Sequence, residues 1–304
     1  MAPESERRYD YQLLDVFTKT RFEGNPLAVF PVAHGLSDVE MQCIAGELNL
    51  SETVFLLEPV DARAAAKARI FTPRRELDFA GHPTIGTAFV VSNLKAQRGR
   101  FALEENVGLV PIDTDTDADG YPMFWLTTPP LKFFETVDPV HCAKLLGLSV
   151  DDITPECQPQ LVSAGSPMLF VHLVSMDAVD RAVARSELAS QPVGSIDSVG
   201  TYVFARKEPQ SSTSFDVYAR MFAPQTGIAE DPATGGAIGP LAGYLLAHGK
   251  LPRKPLAFTS EQGVKMGRRS LLHVRIDAGT GGETIKVGGC VVAIAHGTFV
   301  LNGA

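Results

Sequence analysis

The chain has no CxxC pair, no apolar run near the roughly 20 residues that span a bilayer, and no basic cluster beyond pairs such as Arg74-Arg75 and Arg268-Arg269. Cys43, Cys142, Cys157 and Cys290 are far apart in sequence. They read as small core hydrophobes kept as thiols rather than as disulfide or metal pairs. Lys and Arg number 27 against 35 Asp and Glu, a net charge of −8. A surface built to neutralise nucleic-acid phosphates is excluded on that balance. HExxH, GxSxG and Walker-type spacings are missing as well, which removes zincin, nucleophile-elbow and P-loop chemistry. The stretch Met1 to Asp10 is polar and lacks the apolar segment of a signal peptide. The expectation is a soluble cytoplasmic protein with no membrane or nucleic-acid partner.

Two motifs that at first suggest ligands also fail. Asp115-x-Asp117-x-Asp119-Gly120 begins like a calcium loop, but the position for the closing Glu holds Leu126. Gly279-Thr280-Gly281-Gly282 reads as a hairpin loop, because no helical pattern follows to make a phosphate cradle. No metal site is expected.

What is present is an internal repeat. Arg69-Ile70-Phe71-Thr72-Pro73 precedes Gly81-His82-Pro83-Thr84-Ile85-Gly86, and Arg220-Met221-Phe222-Ala223-Pro224 precedes Glu230-Asp231-Pro232-Ala233-Thr234-Gly235. Each run reads Arg-x-Phe-x-Pro, a loop, an ionisable residue, Pro, two residues and Gly. His82 and Asp231 are 231 − 82 = 149 positions apart in a chain of 304. The same order half a chain apart indicates a duplicated domain.

Each motif reads as a strand leading through a loop into an apolar helix. Ile85, Ala88 and Phe89 mark the first helix, with Asn93 as a possible end. Ile238, Leu241, Ala242 and Leu245 mark the second, which Gly249 would stop. Pro83 and Pro232 suit a first helical turn, so His82 and Asp231 are expected at or beside helix N-caps. Ser37-x-x-Glu40 has capping-box form, ahead of Met41, Ile44, Ala45 and Leu48 on one face. The rest is strand-rich. The expected fold is α+β: two pseudo-symmetric halves, each a curved, mostly antiparallel sheet around a central helix, with an active-site cleft between them. The boundary is placed at Pro129-Pro130, giving lobes 1–129 and 130–304, with the last strand free to cross back to the first lobe.

Helix N-termini offer unpaired N–H donors and partial positive charge, and so suit carboxylates. Two of them facing one cleft, each with an ionisable side chain, suit a small anionic substrate. Gly81, Gly235 and Gly236 would allow close approach to the backbone. Glu52 is a third candidate: a carboxylate opening the apolar strand Val54-Phe55-Leu56 would be desolvated toward the range a general acid or base needs. By pattern alone, His82 and Asp231 also read as ordinary caps and Glu52 as a strand-end surface carboxylate.

At these residues the chain resembles the PhzF family, which shares the diaminopimelate epimerase fold. The resemblance rests on Asp15-Val16-Phe17, the Phe22–Phe30 run with Gly24-Asn25-Pro26, Asn49-Leu50-Ser51-Glu52-Thr53-Val54-Phe55, the two repeated motifs, Gln262-Gly263 with Met266-Gly267-Arg268, and Val287-Gly288-Gly289. It extends from about Tyr9 to Leu301. The resemblance implies a homodimer of two-lobed chains working without metal or organic cofactor, and an isomerisation in which a proton moves between carbons. Glu52 matches the glutamate that moves the proton. His82 and Asp231 match groups that hold and polarise the substrate. Ser51, Gly81 and Gly235 match positions around its carboxylate and hydroxyl, and Asn25 and Gly236 are grouped with them as substrate-binding.

The family segment often reads Thr-Gly-Ser-Ala, whereas here it is Thr234-Gly235-Gly236-Ala237. The missing hydroxyl points to a substrate other than the phenazine precursor, or to one held by main-chain N–H groups alone. Neither repeated motif contains Cys, which argues against a two-thiol racemase. A racemase using Glu52 with His82 or Asp231, or a binding protein retaining the fold, stays open at this point.

Overall fold

The computed structural model describes residues 6–185, 198–208, 215–251, 257–279 and 282–303. The chain is mixed α and β, rich in sheet with few helices, and separates into two compact units. One comprises 1–126 with 290–304, the other 127–289. The division therefore falls just before Pro129-Pro130, and the terminal segment from Cys290 groups with the first unit.

The first unit begins with strands β1 (Arg7–Val16) and β2 (Asn25–Phe30), helix α1 (Asp38–Leu48), and strands β3 (Glu52–Leu57), β4 (Ala66–Phe71) and β5 (Glu76–Leu77). Helix α2 (Gly81–Leu94) and strands β6 (Arg100–Glu105), β7 (Gly108–Thr116) and β8 (Pro122–Thr127) follow. In the second lie β9 (Lys132–Thr136), α3 (Pro139–Leu146), β10 (Gln160–Ser163), β11 (Pro167–His172), α4 (Met176–Arg181), β12 (Gly200–Arg206), β13 (Val217–Ala223) and β14 (Ile228–Asp231). Helix α5 (Gly235–Ala247), β15 (Ala257–Gln262), β16 (Ser270–Gly279) and β17 (Gly282–Leu301) complete it, and the end of β17 belongs to the first unit.

From β17, the ladder of the first unit passes through β1, β2, β3, β4, β6, β7 and β8. Its senses run antiparallel, antiparallel, parallel, antiparallel, parallel, antiparallel, antiparallel. Because β8 also pairs with β17, the ladder closes as a barrel. In the second unit the ladder β9, β10, β11, β12, β13, β15, β16, β17 has the same succession of senses. The short strands β5 and β14 pair antiparallel with β4 and β13. Residues Gly279 and Gly282 face each other across β16 and β17, as a hairpin requires, while Thr280 and Gly281 lie outside the described residues.

The repeated Arg-x-Phe motif has one physical job in both units. Arg69 of β4 donates from Nε and Nη2 to the two oxygens of Glu76 on β5, at 2.8 and 2.6 Å. Arg220 of β13 makes the equivalent fork to Glu230 on β14, at 2.8 Å twice. Each guanidinium also lies over the ring of the Phe two residues on, 5.2 Å from Phe71 and 4.7 Å from Phe222. A planar fork fits a carboxylate where a lysine would offer only a point charge. Each pair thus ties a short strand into the sheet immediately before the segment that enters a helix.

Helix α1 starts at the capping box read from the sequence: Ser37 accepts from the Glu40 N–H, and Glu40 accepts from the Ser37 N–H at 2.8 Å. Met41, Ile44 and Ala45 pack on Phe30, Phe55 and Phe71. Ser37→Ala should cost about 1 kcal/mol, visible as a lower urea midpoint with an unchanged m-value.

Helix α2 packs on β1, β2, β3 and β4. Eleven of its 14 residues are buried, as expected of a helix apolar on every side. A Cβ on Gly86 would come within 2.4 Å of Leu27 and 3.1 Å of Val16, so glycine there sets how closely the helix meets the sheet. Helix α5 contains Pro240 in its interior, a position that Gly239-Pro240 alone would mark as a break. The helix continues because it is held by burial: Ile238, Leu241, Ala242 and Leu245 are fully enclosed.

Candidate active site

The catalytic candidates are not helix caps. The cap position of α2 is Ala80, extended and with no side-chain cap bond, and His82 is the second helical residue. Asp231 ends β14, and α5 begins only at Gly235 with Thr234 as its cap. Pro232 lies in the turn between them rather than in the first helical turn. Side-chain bonds from Gln262 hold that turn, and no local propensity signals them.

In the first unit, three polar residues meet at the starts of three elements. Asn25 opens β2, Glu52 opens β3, and His82 sits in the first turn of α2. The parallel pairing of β2 and β3 sets Leu27 opposite Glu52, which brings both strand starts to the same end. Ser51 immediately precedes Glu52, after Asn49 has ended α1 in a left-handed conformation (φ 49°). Asn25 Nδ2 lies 3.3 Å from His82 Nδ1, and His82 Nε2 lies 3.3 Å from Glu52 Oε2.

Burial pushes the His82 imidazole down to about 3, so the ring is neutral at neutral pH. The His82–Glu52 approach is therefore a contact of a neutral ring with a carboxyl group and not a true ion pair. With the Asn25 amide donating to Nδ1, the one ring proton sits on Nε2, facing Glu52. Glu52 retains 14% exposure of its side chain while His82 is enclosed.

In the second unit Asp231 is buried and accepts a 2.5 Å hydrogen bond from Thr234 Oγ1. Gly235 and Gly236 open α5 directly after it, Gly235 buried and Gly236 partly exposed. Thr234 makes no capping bond to its own helix. Neither α2 nor α5 therefore has a side-chain cap over its first N–H groups.

Among the described residues no group of three or more His, Cys, Asp or Glu is placed to hold a metal ion. The Asp117 carboxylate of the calcium-like run is instead engaged by Lys19. No helix among the described residues is long and apolar enough to cross a membrane.

Sequence reasoning missed two sets of residues. Thr234 and the side chain of Gln262 support Asp231; a Thr three residues after an Asp gives no sign that its hydroxyl turns back. Glu105, at the end of β6, is buried against Thr84 of α2 at 2.6 Å. In sequence it is merely the second of two adjacent glutamates.

Residues 14–297 match the family of phenazine biosynthesis-like proteins, PhzC-PhzF. The chain is 34% identical to an uncharacterized isomerase of Clostridium acetobutylicum, over 97% of this chain and 99% of that protein. It is 32% identical to the trans-2,3-dihydro-3-hydroxyanthranilate isomerase of Pseudomonas fluorescens, over 96% of this chain and 100% of that one. Among solved structures, the PhzF-family phenazine biosynthesis protein of Bacillus anthracis superposes with a TM-score of 0.88 at 22% identity, covering 97% of this chain and all 100% of the other, a likeness of fold. Fold and relatives together define an isomerase. The chain belongs to the PhzC-PhzF family of phenazine biosynthesis-like proteins.

Proposed function

We propose that this isomerase works without a cofactor, moving a proton by general acid/base catalysis on a small carboxylate-bearing metabolite. The observation that carries this reading is the Asn25–His82–Glu52 array. Burial weakens His82 as a base, and with Nδ1 accepting from Asn25 its other ring nitrogen carries a proton rather than a free lone pair. The base is therefore Glu52, and His82 is the group with a proton to offer from Nε2. Glu52 abstracts the proton at the reacting carbon and returns it elsewhere. Neutral His82 steadies the oxygen on which charge gathers, as an imidazole donor does without first having to lose a charge.

Asn25, by donating to Nδ1, keeps His82 in the tautomer this role requires. Asp231, at the corresponding point of the second motif, is read as a holding and polarising group. The uncapped starts of α2 and α5, with Gly81, Gly235 and Gly236, suit carboxylate and hydroxyl groups of a substrate, with Ser51 beside Glu52 in the first unit. The matching order of pairing senses and the two Arg–Glu forks support descent of the units from one duplicated domain.

The test is incubation in D₂O with small cyclic carboxylates and amino acids, following deuterium uptake by NMR. Uptake at one carbon with isomerised product supports the reading, and uptake with loss of chirality at an unmoved centre would make the protein a racemase. With Gly236 lacking a hydroxyl, trans-2,3-dihydro-3-hydroxyanthranilate should turn over far more slowly than by a dedicated enzyme. Comparable rates would overturn that choice of substrate.

A further inference from the structure

The turn that presents Asp231 is held by a residue remote in sequence. Gln262, the last residue of β15, is fully buried. Its Oε1 accepts from the Thr234 N–H at 3.2 Å. Its Nε2 donates to the Asp231 carbonyl at 2.7 Å and to Thr234 Oγ1 at 3.0 Å. One side-chain amide thus grips the turn at both ends and supplies a donor to the hydroxyl in between.

That donor decides what the hydroxyl does. A threonine at a helix cap ordinarily turns its oxygen to the N–H groups of the helix it begins. Thr234 does not, because its oxygen already accepts from Gln262, and its single proton is directed to Asp231 Oδ2 at 2.5 Å. The neighbouring glycine serves the same contact. Gly263 has φ +76°, and a Cβ on it would lie 2.3 Å from the Arg268 carbonyl oxygen and 2.6 Å from that of Pro232. No side chain fits there, so the Asp231–Thr234 turn rests directly on the backbone of residue 263. The pair Gln262-Gly263 acts as one clasp: the glycine makes room and the glutamine ties.

We propose that Gln262 is a positioning residue for Asp231, acting through Thr234, which fixes the carboxylate's rotamer and keeps its Oδ2 hydrogen-bonded. The inference rests on the reading of Asp231 as a group that acts on substrate. Every hydrogen-bonding atom of the Gln262 amide is engaged by the turn, so Gln262 itself does not touch the substrate.

The experiment titrates Asp231 in the full chain with ¹³C-labelled aspartate, its carboxyl signal identified by its loss in Asp231→Asn. A donated hydrogen bond favours the ionised carboxylate. Thr234→Val should therefore raise the titration midpoint of Asp231 by about one unit, and Thr234→Ser should restore the wild-type value. Gln262→Met, of similar length but without amide atoms, should raise it in the same direction, because the hydroxyl is then free to turn to its own helix. Should Gln262→Met not fold, Gln262→Leu, which also lacks the amide and adds no charge, makes the same measurement. A midpoint unmoved in the Thr234→Val and Gln262 variants overturns the clasp. If the midpoints move as expected but Asp231→Asn still exchanges substrate deuterium at the wild-type rate, the clasp stands and the role given to Asp231 falls.

Discussion

Glu52→Gln is expected to lower the rate of substrate deuterium exchange by 10²- to 10⁴-fold, the usual worth of a positioned general base. The substitution changes one oxygen to an amide and keeps the shape, so substrate affinity should change little. The loss belongs in kcat, because the interaction removed exists only as the proton moves. Single-turnover exchange in D₂O, read with an equilibrium binding measurement on the same ligand, separates the two. A variant that binds normally but exchanges no deuterium has lost its base. A variant that exchanges at the wild-type rate would transfer the base's role to another group.

The second large effect concerns Glu105. Thr84 Oγ1 lies 2.7 Å from the Ala80 carbonyl oxygen and 2.6 Å from Glu105 Oε1. The Thr84 hydroxyl is the donor in both contacts, and its bond to Glu105 favours the ionised carboxylate. Burial outweighs that bond, pushing the Glu105 carboxyl from its ordinary 4.5 up to about 8.

The unfolded chain ionises this group near 4.5 and the folded chain only near 8. Its stabilising contribution is full below pH 4.5 and drains away as the pH rises to 8, by at most about 5 kcal/mol. His82 works the other way, since its lowered value costs stability as the pH falls from 6.5 toward 3. The two slopes oppose each other between 4.5 and 6.5, which makes pH 6.5 to 8 the diagnostic window. There the wild type should lose about 2 kcal/mol through Glu105. Glu105→Gln, whose amide oxygen can still accept from Thr84, should show no such loss. Urea unfolding at half-unit pH steps checks this, and parallel curves for the two proteins would show that Glu105 is already ionised.

Much was legible in the sequence because it depended on neighbours in the chain. The capping box at Ser37 and Glu40 and the apolar spacing of α1 are local patterns, and the structure has them. The repeated Arg-x-Phe-x-Pro was visible as a pattern, but its meaning was not. Only the paired strands show that each arginine is there to grip a glutamate on the next strand.

The start of α5 differs from the sequence reading for a related reason, whereas Pro83 does lie in the first turn of α2. Pro232 looks like a helical first turn by local preference, yet a glutamine 30 positions later holds Asp231 to Thr234 in a turn of its own. No window of sequence contains both ends of that contact.

The sequence by itself determined the composition class, the order and spacing of the motifs, and which ionisable residues stand beside glycines and prolines. Those properties are set by residue chemistry at short range. Tertiary structure decided which atom of each residue is used. It put the one proton of His82 on Nε2 by placing Asn25 against Nδ1. It turned the Thr234 hydroxyl from its helix to Asp231, and it made an acid of Glu105 by enclosing it. Protonation, tautomer and hydroxyl direction depend on burial and on partners brought together only by folding, and these are the properties that general acid/base chemistry uses.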